Sequence, residues 1–225
     1  MPPTDDCSED RLNRFLKHAI LVVFVLWALL PAALAQRGRP SQPGAFDYYL
    51  LNLSWEPEFC HSQRNASSEE CQAGGRGFVV HGLWPQFTDG YPEHCSDAPG
   101  PSDPSKYLDF MPTTWLLRHE WTTHGTCSGL AADAYFELIR RAHASIKIPD
   151  QLAKPSRQLS MAPSEVKRAF VDANPGLQGR DMAVSCGNNY LTAVEFCLNK
   201  DTLTPQACGA VRDCKATVIR VAPVR

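Results

Sequence analysis

Apolar and polar positions alternate in short stretches at both ends of the sequence. Residues 46–55 alternate roughly and are rich in aromatic side chains, which is typical of a β-strand. Residues 76–81 predict a second strand that ends at His81. Further strands are predicted over 181–186, 190–198 and 216–221, with a turn at Asn188-Asn189 between the first two of these.

The middle of the chain has a helical period instead. Over 131–146, apolar side chains recur every three or four positions, at Tyr135, Leu138, Ile139, Ala142 and Ile146. Shorter helices are predicted over 105–110, over 112–121 and over 164–173. We expect the second of these to stop near Gly125 because glycine can take positive φ. Residues 56–75 and 86–103 are polar and predict loops. Strands at both ends and helices between them indicate the α+β class.

The N-terminal segment predicts a signal peptide. Basic residues precede an unbroken apolar run over 19–30, and Ala33-Leu34-Ala35 forms a small-x-small cleavage site. A membrane anchor is the competing interpretation, but the run is short for a span and Pro31 interrupts it. The predicted organisation is a signal peptide over 1–35, a flexible leader over 36–45 rich in Gly, Pro and Ser, and one domain over 46–225.

Cysteine usage indicates an oxidising compartment. The sequence has nine cysteines, and Cys7 falls in the predicted signal peptide. The other eight predict four disulfides, and Cys60 and Cys71 are expected to close the loop over 56–75. No CxxC pair occurs, so a zinc site made of thiolates is disfavoured. The same loop contains Asn65-Ala66-Ser67, a glycosylation sequon that matters in a eukaryotic host.

Net charge argues against extended nucleic-acid binding. Lysine and arginine total 22 and aspartate and glutamate total 24, which gives −2 at pH 7. A protein that holds long nucleic acid through counterion release is usually basic. Any contact with nucleic acid is therefore expected at a local site.

Two histidine segments contain the candidate chemistry. One is Phe78-Val-Val-His-Gly-Leu-Trp-Pro85, and the other runs from Arg118 to Cys127 with His119, Glu120 and His124. A zinc-protease helix needs histidines at i and i+4, whereas these lie at i and i+5, about 140° apart on a helix. A serine nucleophile is disfavoured because no GxSxG occurs. Cys127 is expected to lie in a disulfide.

Acid–base catalysis by two imidazoles fits these residues better. The ordinary histidine pKa lies near ~6.5, so one ring can accept a proton while another donates one. Cleavage of an RNA phosphodiester needs a base for the ribose 2′-OH, an acid for the leaving 5′-oxygen and donors for the phosphorane. The glycines beside the histidines were expected to let backbone approach a phosphate. A single histidine is more often a hydrogen-bonded core residue, but two His-Gly segments favour catalysis.

At these residues the sequence resembles the ribonuclease T2 family. The segments His81-Gly-Leu-Trp-Pro85 and His119-Glu-Trp-Thr-Thr-His-Gly-Thr-Cys127 are similar to the two active-site segments of that family. The resemblance implies that His124 is the base, His81 the acid and His119 the phosphate-binding histidine, and that Glu120 assists the transition state. It implies a 2′,3′-cyclic phosphate product, then slowly a 3′-phosphate, without metal or cofactor.

The resemblance also implies the base-binding residues. Trp84 would stack on a base, although a buried core position is an equal alternative for a tryptophan. Gln86 would read a base with its polar side chain. Tyr91 would be the second stacking aromatic, in a loop whose length differs from the family pattern. The expected substrate is single-stranded RNA, cut with low base preference.

The wider structure follows from the same resemblance. We expect a central antiparallel sheet flanked by helices, in one disulfide-stapled domain. The expected protein is a monomer that is secreted or periplasmic and has no stable membrane association after signal cleavage. The implied disulfides are Cys60–Cys71, Cys95–Cys127, Cys186–Cys214 and Cys197–Cys208.

One position departs from the family pattern. The family usually has a lysine before the second His-Gly pair, and here that position is Thr123. Threonine donates a neutral hydrogen bond but has no charge, so either turnover is slower or another cation enters the site. Arg118 is the nearest cation in sequence. A non-catalytic binding protein that retains the fold is the rival hypothesis.

Overall fold

A mixed β-sheet forms the centre of the computed structural model, which describes residues 39–61, 68–209 and 211–225, apart from the side chain of Ala73. The predicted signal peptide over 1–35, its cleavage point, the first residues of the leader and the Asn65 sequon lie outside the described residues. For these the predictions from sequence stand untested.

The sheet has six strands among the described residues. Its order is β2-β1-β5-β6-β3, and β4 also pairs with β5. All pairs are antiparallel except β5 with β6, which meet in parallel at Tyr190 and Arg220. The predicted α+β class with a central sheet and flanking helices is confirmed, with this one parallel pairing as the difference. The strands are β1 Tyr48–Trp55, β2 Phe78–Gln86, β3 Leu159–Met161, β4 Met182–Gly187, β5 Tyr190–Asn199 and β6 Ile219–Val221.

Six α-helices flank the sheet in the described part of the chain. The two longest between β2 and β3 supply most of the helical core, and the third long one packs against β4 and β5. The helices are α1 Glu56–His61, α2 Glu69–Ala73, α3 Thr114–Thr123, α4 Ala132–Ala144, α5 Asp150–Ala153 and α6 Pro163–Ala173.

Helix α3 is bounded by its own sequence. Thr113 is the N-cap, and its hydroxyl accepts a hydrogen bond from the backbone N–H of Leu116 at 3.1 Å. The helix ends at Thr123, close to the predicted end, but the expected reason was wrong. Gly125 does not have positive φ; it opens a 3₁₀ turn, and the left-handed residue is Gly129, with φ 77°.

Several predicted bounds were wrong. The loop predicted over 56–75 contains α1 and α2, and the second strand does not end at His81 but runs on to Gln86. The predicted helix over 105–110 is a 3₁₀ turn at Pro104–Tyr107, and the last strand covers only 219–221. Strand β3 and helix α5 are short elements that the apolar pattern did not indicate, because three or four residues are too few to show a period.

The core joins the sheet to the helices on one face. Leu51, Leu53 and Trp55 of β1 are fully buried, as are Tyr135 and Phe136 of α4. Burial of large side chains of this kind contributes roughly 1.5–3 kcal/mol each. Tyr135 also donates a hydrogen bond from its hydroxyl to the backbone oxygen of Leu83 at 2.7 Å, so α4 is fixed directly to β2.

Four disulfides join the eight cysteines in the pairs that the resemblance implied: Cys60–Cys71, Cys95–Cys127, Cys186–Cys214 and Cys197–Cys208. Cys95–Cys127 ties the loop after β2 to the turn after α3. Two of the others hold the segment between β5 and β6 against β4 and β5.

Residues 41–225 form one compact unit. The last residues of the predicted leader are hydrogen-bonded within it, since the N–H of Gly44 donates to the backbone oxygen of Cys127 at 2.9 Å. Across the residues that the structure describes, no helix has the length and apolar character needed to cross a membrane.

Candidate functional site

A buried carboxylate lies at the centre of the site. Glu120 is fully buried on the face of α3 that packs on β2. Its Oε2 accepts a hydrogen bond from the indole N–H of Trp84 at 2.6 Å, and its Oε1 lies 3.4 Å from Nε2 of His81. Burying a carboxylate without partners costs folding free energy. The charge of Glu120 is therefore directed at its two polar neighbours, Trp84 and His81.

His81 takes its position from a β-bulge. On β1, Leu53 pairs with Val80 and Asn52 pairs with Gly82, so His81 is the extra residue on β2. A bulge changes the direction of the side chains that follow it and often occurs beside active sites. His81 is only partly exposed, and its Nδ1 lies 3.0 Å from the hydroxyl of Ser54. The sequence pattern gave the strand but not this bulge.

Gly82 makes room for the buried carboxylate. A Cβ placed on Gly82 would lie 2.0 Å from Oε2 of Glu120 and 2.5 Å from Nε1 of Trp84. Gly125 has the same function for the core, since its Cβ would lie 2.5 Å from the ring of Trp121. The described contacts thus account for both glycines by side-chain packing, whereas the expectation was that they admit a phosphate.

His124 follows the last residue of α3 and also lies against Trp84. Its ring centroid lies 5.2 Å from that of Trp84 and 6.3 Å from that of Tyr91. Trp84 also contacts His81, at 5.5 Å between ring centroids. Both imidazoles therefore contact one indole. Within the described chain, the buried Nδ1 of His124 has no hydrogen-bond partner.

The environments of the two imidazoles shift their pKa values in opposite directions. Burial lowers the pKa of His81, but the carboxylate of Glu120 at 3.4 Å, together with the charges of Glu70 and Glu195, outweighs that effect and raises the pKa above the ordinary value. Burial also lowers the pKa of His124, and there the opposing carboxylates do not compensate. At neutral pH His81 is the better proton donor and His124 the better acceptor.

His119 is exposed on α3 and stacks on its neighbour one turn earlier. Its ring is parallel to that of Trp115, with 5.5 Å between centroids. It borders two depressions in the surface. One, here called the main cleft, has a volume of about 1,000 Å³ and contains Trp84, Gln86, Tyr91 and His124. The other, here called the side pocket, has about 550 Å³ and a mostly apolar lining that includes Phe59, His81 and Trp115.

The three predicted base-binding residues all line the main cleft, but they differ in exposure. Tyr91 is 54% exposed, whereas Gln86 is 8% exposed and its amide donates to the backbone oxygen of Pro85. Trp84 is half-buried. Its indole contacts both histidine rings and also packs against the small apolar cluster of Tyr48, Leu50 and Cys197, so a stacking position and a packing position both remain open for Trp84.

The position without the family lysine also lies in this cleft. Thr123 is buried, and its backbone oxygen accepts a hydrogen bond from the N–H of His94 at 2.9 Å. Arg118, the nearest cation in sequence, is exposed and is not part of the cleft lining. Of the described residues that line the cleft, one has a permanent positive charge, Arg212.

Sequence reasoning missed four polar residues near the histidines: Asn52, Ser54, Glu195 and Arg212. Asn52 and Ser54 looked like ordinary polar positions of an alternating strand. Glu195 and Arg212 belong to β5 and the following segment, more than 70 positions along the chain from His124. Only the strand pairing and the disulfides bring them here. Three or more His, Cys, Asp or Glu side chains arranged for a metal ion are not found among the described residues.

Comparison with known proteins gives a consistent result. The model of the ribonuclease T2 family matches residues 46–208. A ribonuclease of Aeromonas hydrophila is 30% identical over 198 residues, covering 86% of this chain and 89% of that protein. Ribonuclease DdI of Dictyostelium discoideum is 31% identical over 214 residues, covering 84% of this chain and 91% of that protein.

Solved structures show the same fold. The RNase-related protein from Calystegia sepium has a TM-score of 0.64 at 20% identity, covering 80% of this chain and 98% of that one. RNase NT in complex with 5′-AMP has a TM-score of 0.62 at 20% identity, covering 79% and 98%. The family model spans both histidine segments and most of the sheet. This chain therefore belongs to the ribonuclease T2 family.

Proposed function

We propose that this protein is an endoribonuclease that cleaves single-stranded RNA through a 2′,3′-cyclic phosphate. Membership of a family of RNA-cleaving enzymes supports the reaction class. The observation that carries the mechanism is the contrast between two imidazoles that contact the same indole: Nε2 of His81 lies 3.4 Å from the buried carboxylate of Glu120, whereas Nδ1 of His124 is buried without a partner among the described residues, and these surroundings raise the pKa of His81 and lower that of His124. Such a separation keeps one ring protonated and the other neutral at the same pH, which acid–base catalysis requires.

In the first step, neutral His124 accepts the proton of the ribose 2′-OH. The 2′-oxygen forms a bond to phosphorus, and the bond from phosphorus to the 5′-oxygen breaks. Protonated His81 gives its proton to that 5′-oxygen, so the leaving group departs as an alcohol. The products are a 2′,3′-cyclic phosphate and a new 5′-hydroxyl end, and the step leaves His124 protonated and His81 neutral.

Charge on the phosphorane needs donors as well as acids. We propose that His119 holds the phosphate, since it is exposed on the ridge between the main cleft and the side pocket. Glu120 does not donate; it holds the protonated form of His81 through its charge. Thr123 supplies no positive charge, so Arg212 is the permanent cation of the cleft that can approach the phosphate oxygens.

The second step requires the reverse protonation states. When water opens the cyclic phosphate, His81 must accept a proton and His124 must donate one. The pKa of His81 is raised and that of His124 is lowered, so this arrangement is the minor one at neutral pH. We therefore propose that the cyclic phosphate accumulates and that the 3′-phosphate forms slowly.

Bases on the two sides of the scissile phosphate would enter the two depressions that meet at His119. We propose that Trp84 and Tyr91 stack on one base in the main cleft, with Gln86 offering a polar contact at its floor. The aromatic rings of Phe59 and Trp115 in the side pocket would receive the other. Stacking accepts every base and needs unpaired strands, which supports low base preference on single-stranded RNA.

The remaining parts of the proposal concern the setting of the enzyme. Four disulfides require an oxidising compartment, which supports a secreted or periplasmic protein. We propose that it acts as a monomer. We also propose that the reaction needs no metal or cofactor, because His81 and His124 supply both proton transfers.

A product analysis tests the reaction. Oxidised protein is incubated with a short single-stranded RNA in EDTA, from about pH 4 to about pH 8, which spans histidine titration. We expect fragments whose mass corresponds to a 2′,3′-cyclic phosphate end, produced by wild type and by a His143→Ala control but not by His124→Ala. His143 lies on α4, outside both depressions. RNA binding without cleavage at every pH would contradict the proposal and favour a binding protein that retains the fold.

A further inference from the structure

A chain of hydrogen bonds runs from His81 into the sheet and ends at a carboxylate. Nδ1 of His81 lies 3.0 Å from Oγ of Ser54, and that hydroxyl lies 3.3 Å from Oδ1 of Asn52. The amide nitrogen of Asn52 then donates to Oε1 of Glu195 at 3.0 Å. We infer that Glu195 is a positioning residue for the proposed reaction, acting on His81 through Asn52 and Ser54. The catalytic role of Glu195 rests on the proposed function, but the effect of Glu195 on the pKa of His81 can be measured without RNA.

The chemistry of each group gives the chain one direction. An ionised carboxylate only accepts hydrogen bonds, so the NH₂ group of Asn52 must face Glu195. The amide oxygen of Asn52 then faces Ser54 and takes the hydroxyl proton. The remaining lone pairs of that hydroxyl accept the N–H at Nδ1 of His81.

This direction decides which nitrogen of His81 can transfer a proton. Because Nδ1 keeps its proton in the hydrogen bond to Ser54, the proton that His81 gives up is the one on Nε2. That nitrogen is also the one that lies 3.4 Å from Oε1 of Glu120. The chain therefore fixes the tautomer that remains after proton transfer, in the way that a hydrogen bond on one ring nitrogen fixes the role of the other.

The β-sheet fixes the residues that form this series of hydrogen bonds. Asn52 is buried and lies opposite Gly82 of β2 on one side and opposite Glu195 of β5 on the other. The hydrogen bonds thus cross from β5 through β1 to the bulge in β2. Groups fixed on adjacent strands keep their geometry better than groups on loops, which suits a part that orients an acid.

Other charges also act on the two residues at the ends of this series of hydrogen bonds, His81 and Glu195. His81 faces Glu120 from α3, Glu70 from α2 and Glu195 from β5, and all three raise its pKa against the effect of burial. Burial raises the pKa of Glu195, while hydrogen bonds from Ser185 and Asn52 and the charge of His81 oppose that rise, and Asp213 adds to it. Protonation of Glu195 at acidic pH would remove the charge from the end of the chain.

Glu195→Gln tests the inference because it keeps the shape and removes the charge. NMR titration of the protein without RNA measures the pKa of His81 directly, and we expect that pKa to fall in the variant. In RNA cleavage, the limb of the kcat/KM profile that falls with rising pH should then move to lower pH. Above that limb we expect cleavage to be slower than in wild type, because a smaller fraction of His81 is protonated there.

Glu93→Gln is the matched control, because Glu93 raises the pKa of His124 and is not a cause of the shift at His81. It should move only the limb that rises with pH. Ser54→Ala breaks the chain while leaving Glu195 charged, and should reproduce part of the shift at His81. An unchanged His81 pKa in folded Glu195→Gln would overturn the inference even if RNA is cleaved. A lowered His81 pKa in Glu195→Gln, if the wild-type protein cleaves no RNA, would support the link from Glu195 to His81 and contradict the proposed function.

Discussion

His81 and His124 are the same side chain in two different settings. His81 is held in the middle of a strand, at a bulge, with Nδ1 against Ser54 and Nε2 near the buried Glu120. His124 follows the last turn of a helix and lies against the rings of Trp84 and Tyr91, with its Nδ1 buried and unpartnered among the described residues. Nearby carboxylates raise the pKa of the first, and burial lowers the pKa of the second.

The difference shows that a sequence motif can point to two candidate histidines, whereas their surroundings determine how each ring would act in the proposed reaction. Both are followed by glycine, and both glycines make room for a bulky neighbour. The distinguishing groups come from elsewhere: Glu120 is one turn from His124 in sequence, yet its carboxylate faces His81 across the interface of helix and sheet. Substitutions at either histidine or among its neighbours test this contrast.

Removing either imidazole should have the largest effect. His81→Ala and His124→Ala should each lower kcat/KM for RNA by about 10²–10⁴, the usual contribution of a positioned acid or base. Rates measured across pH should also lose one limb each: the falling limb in His81→Ala and the rising limb in His124→Ala. A bell-shaped profile that survives in both variants would mean that other groups titrate.

Filling the space beside Glu120 should have the second largest effect on activity. Gly82→Ala places a methyl group 2.0 Å from the carboxylate, so Glu120 and Trp84 must move. We expect a loss of stability of roughly 1–3 kcal/mol, typical of overpacking, together with a loss of activity of about 10²-fold.

Gly179→Ala is the control for that variant, because no atom lies within 4 Å of its added Cβ and its φ is not positive. Urea denaturation and RNA cleavage measured on both variants separate the site from general glycine effects. Normal activity in Gly82→Ala would show that the packing against Gly82 does not matter to the reaction.

Removing the charge of Glu120 should change the pH profile in one direction. Glu120 raises the pKa of His81, so Glu120→Gln should lower that pKa. Protonated His81 is required for the first step, so the falling limb should move to lower pH, with a loss of about tenfold or more above it. A falling limb that stays in place would indicate that Glu120 acts other than through His81.

Changing the permanent charge in the main cleft should have the smallest effect. Arg212→Ala should lower kcat by about tenfold, because the phosphorane loses its permanent positive neighbour. Thr123→Lys adds a positive charge to the cleft and should raise kcat, most clearly in the Arg212→Ala background. Lys215→Ala, which removes a cation outside the cleft lining, is the control for net charge. Unchanged rates in Arg212→Ala would remove that residue from the account.

Local signals in the sequence predicted what is local in the structure. Regular spacing of apolar side chains identified α4, and the alternation over 46–55 identified β1, because each pattern repeats over two or more turns or pleats. The motif segments named His81, His119, Glu120 and His124. Helices α1 and α2 were missed because five or six residues are too few to show a helical period.

The features that the sequence did not predict depend on pairing between strands. The bulge at His81 appears only when β1 is aligned with β2, and Glu195 reaches Asn52 only because β5 pairs with the other side of β1. Arg212 enters the cleft through a segment held by disulfides. The role of Gly82 was likewise invisible, because it depends on where the carboxylate of a distant helix lies.

Titration of both rings by NMR is the most direct test of whether His81 is the acid and His124 the base. The signals are assigned with the His81→Ala and His124→Ala proteins and followed across pH without RNA. The account predicts a pKa for His81 above the ordinary histidine value and a pKa for His124 below it. The reverse order, or a single shared value, would contradict it.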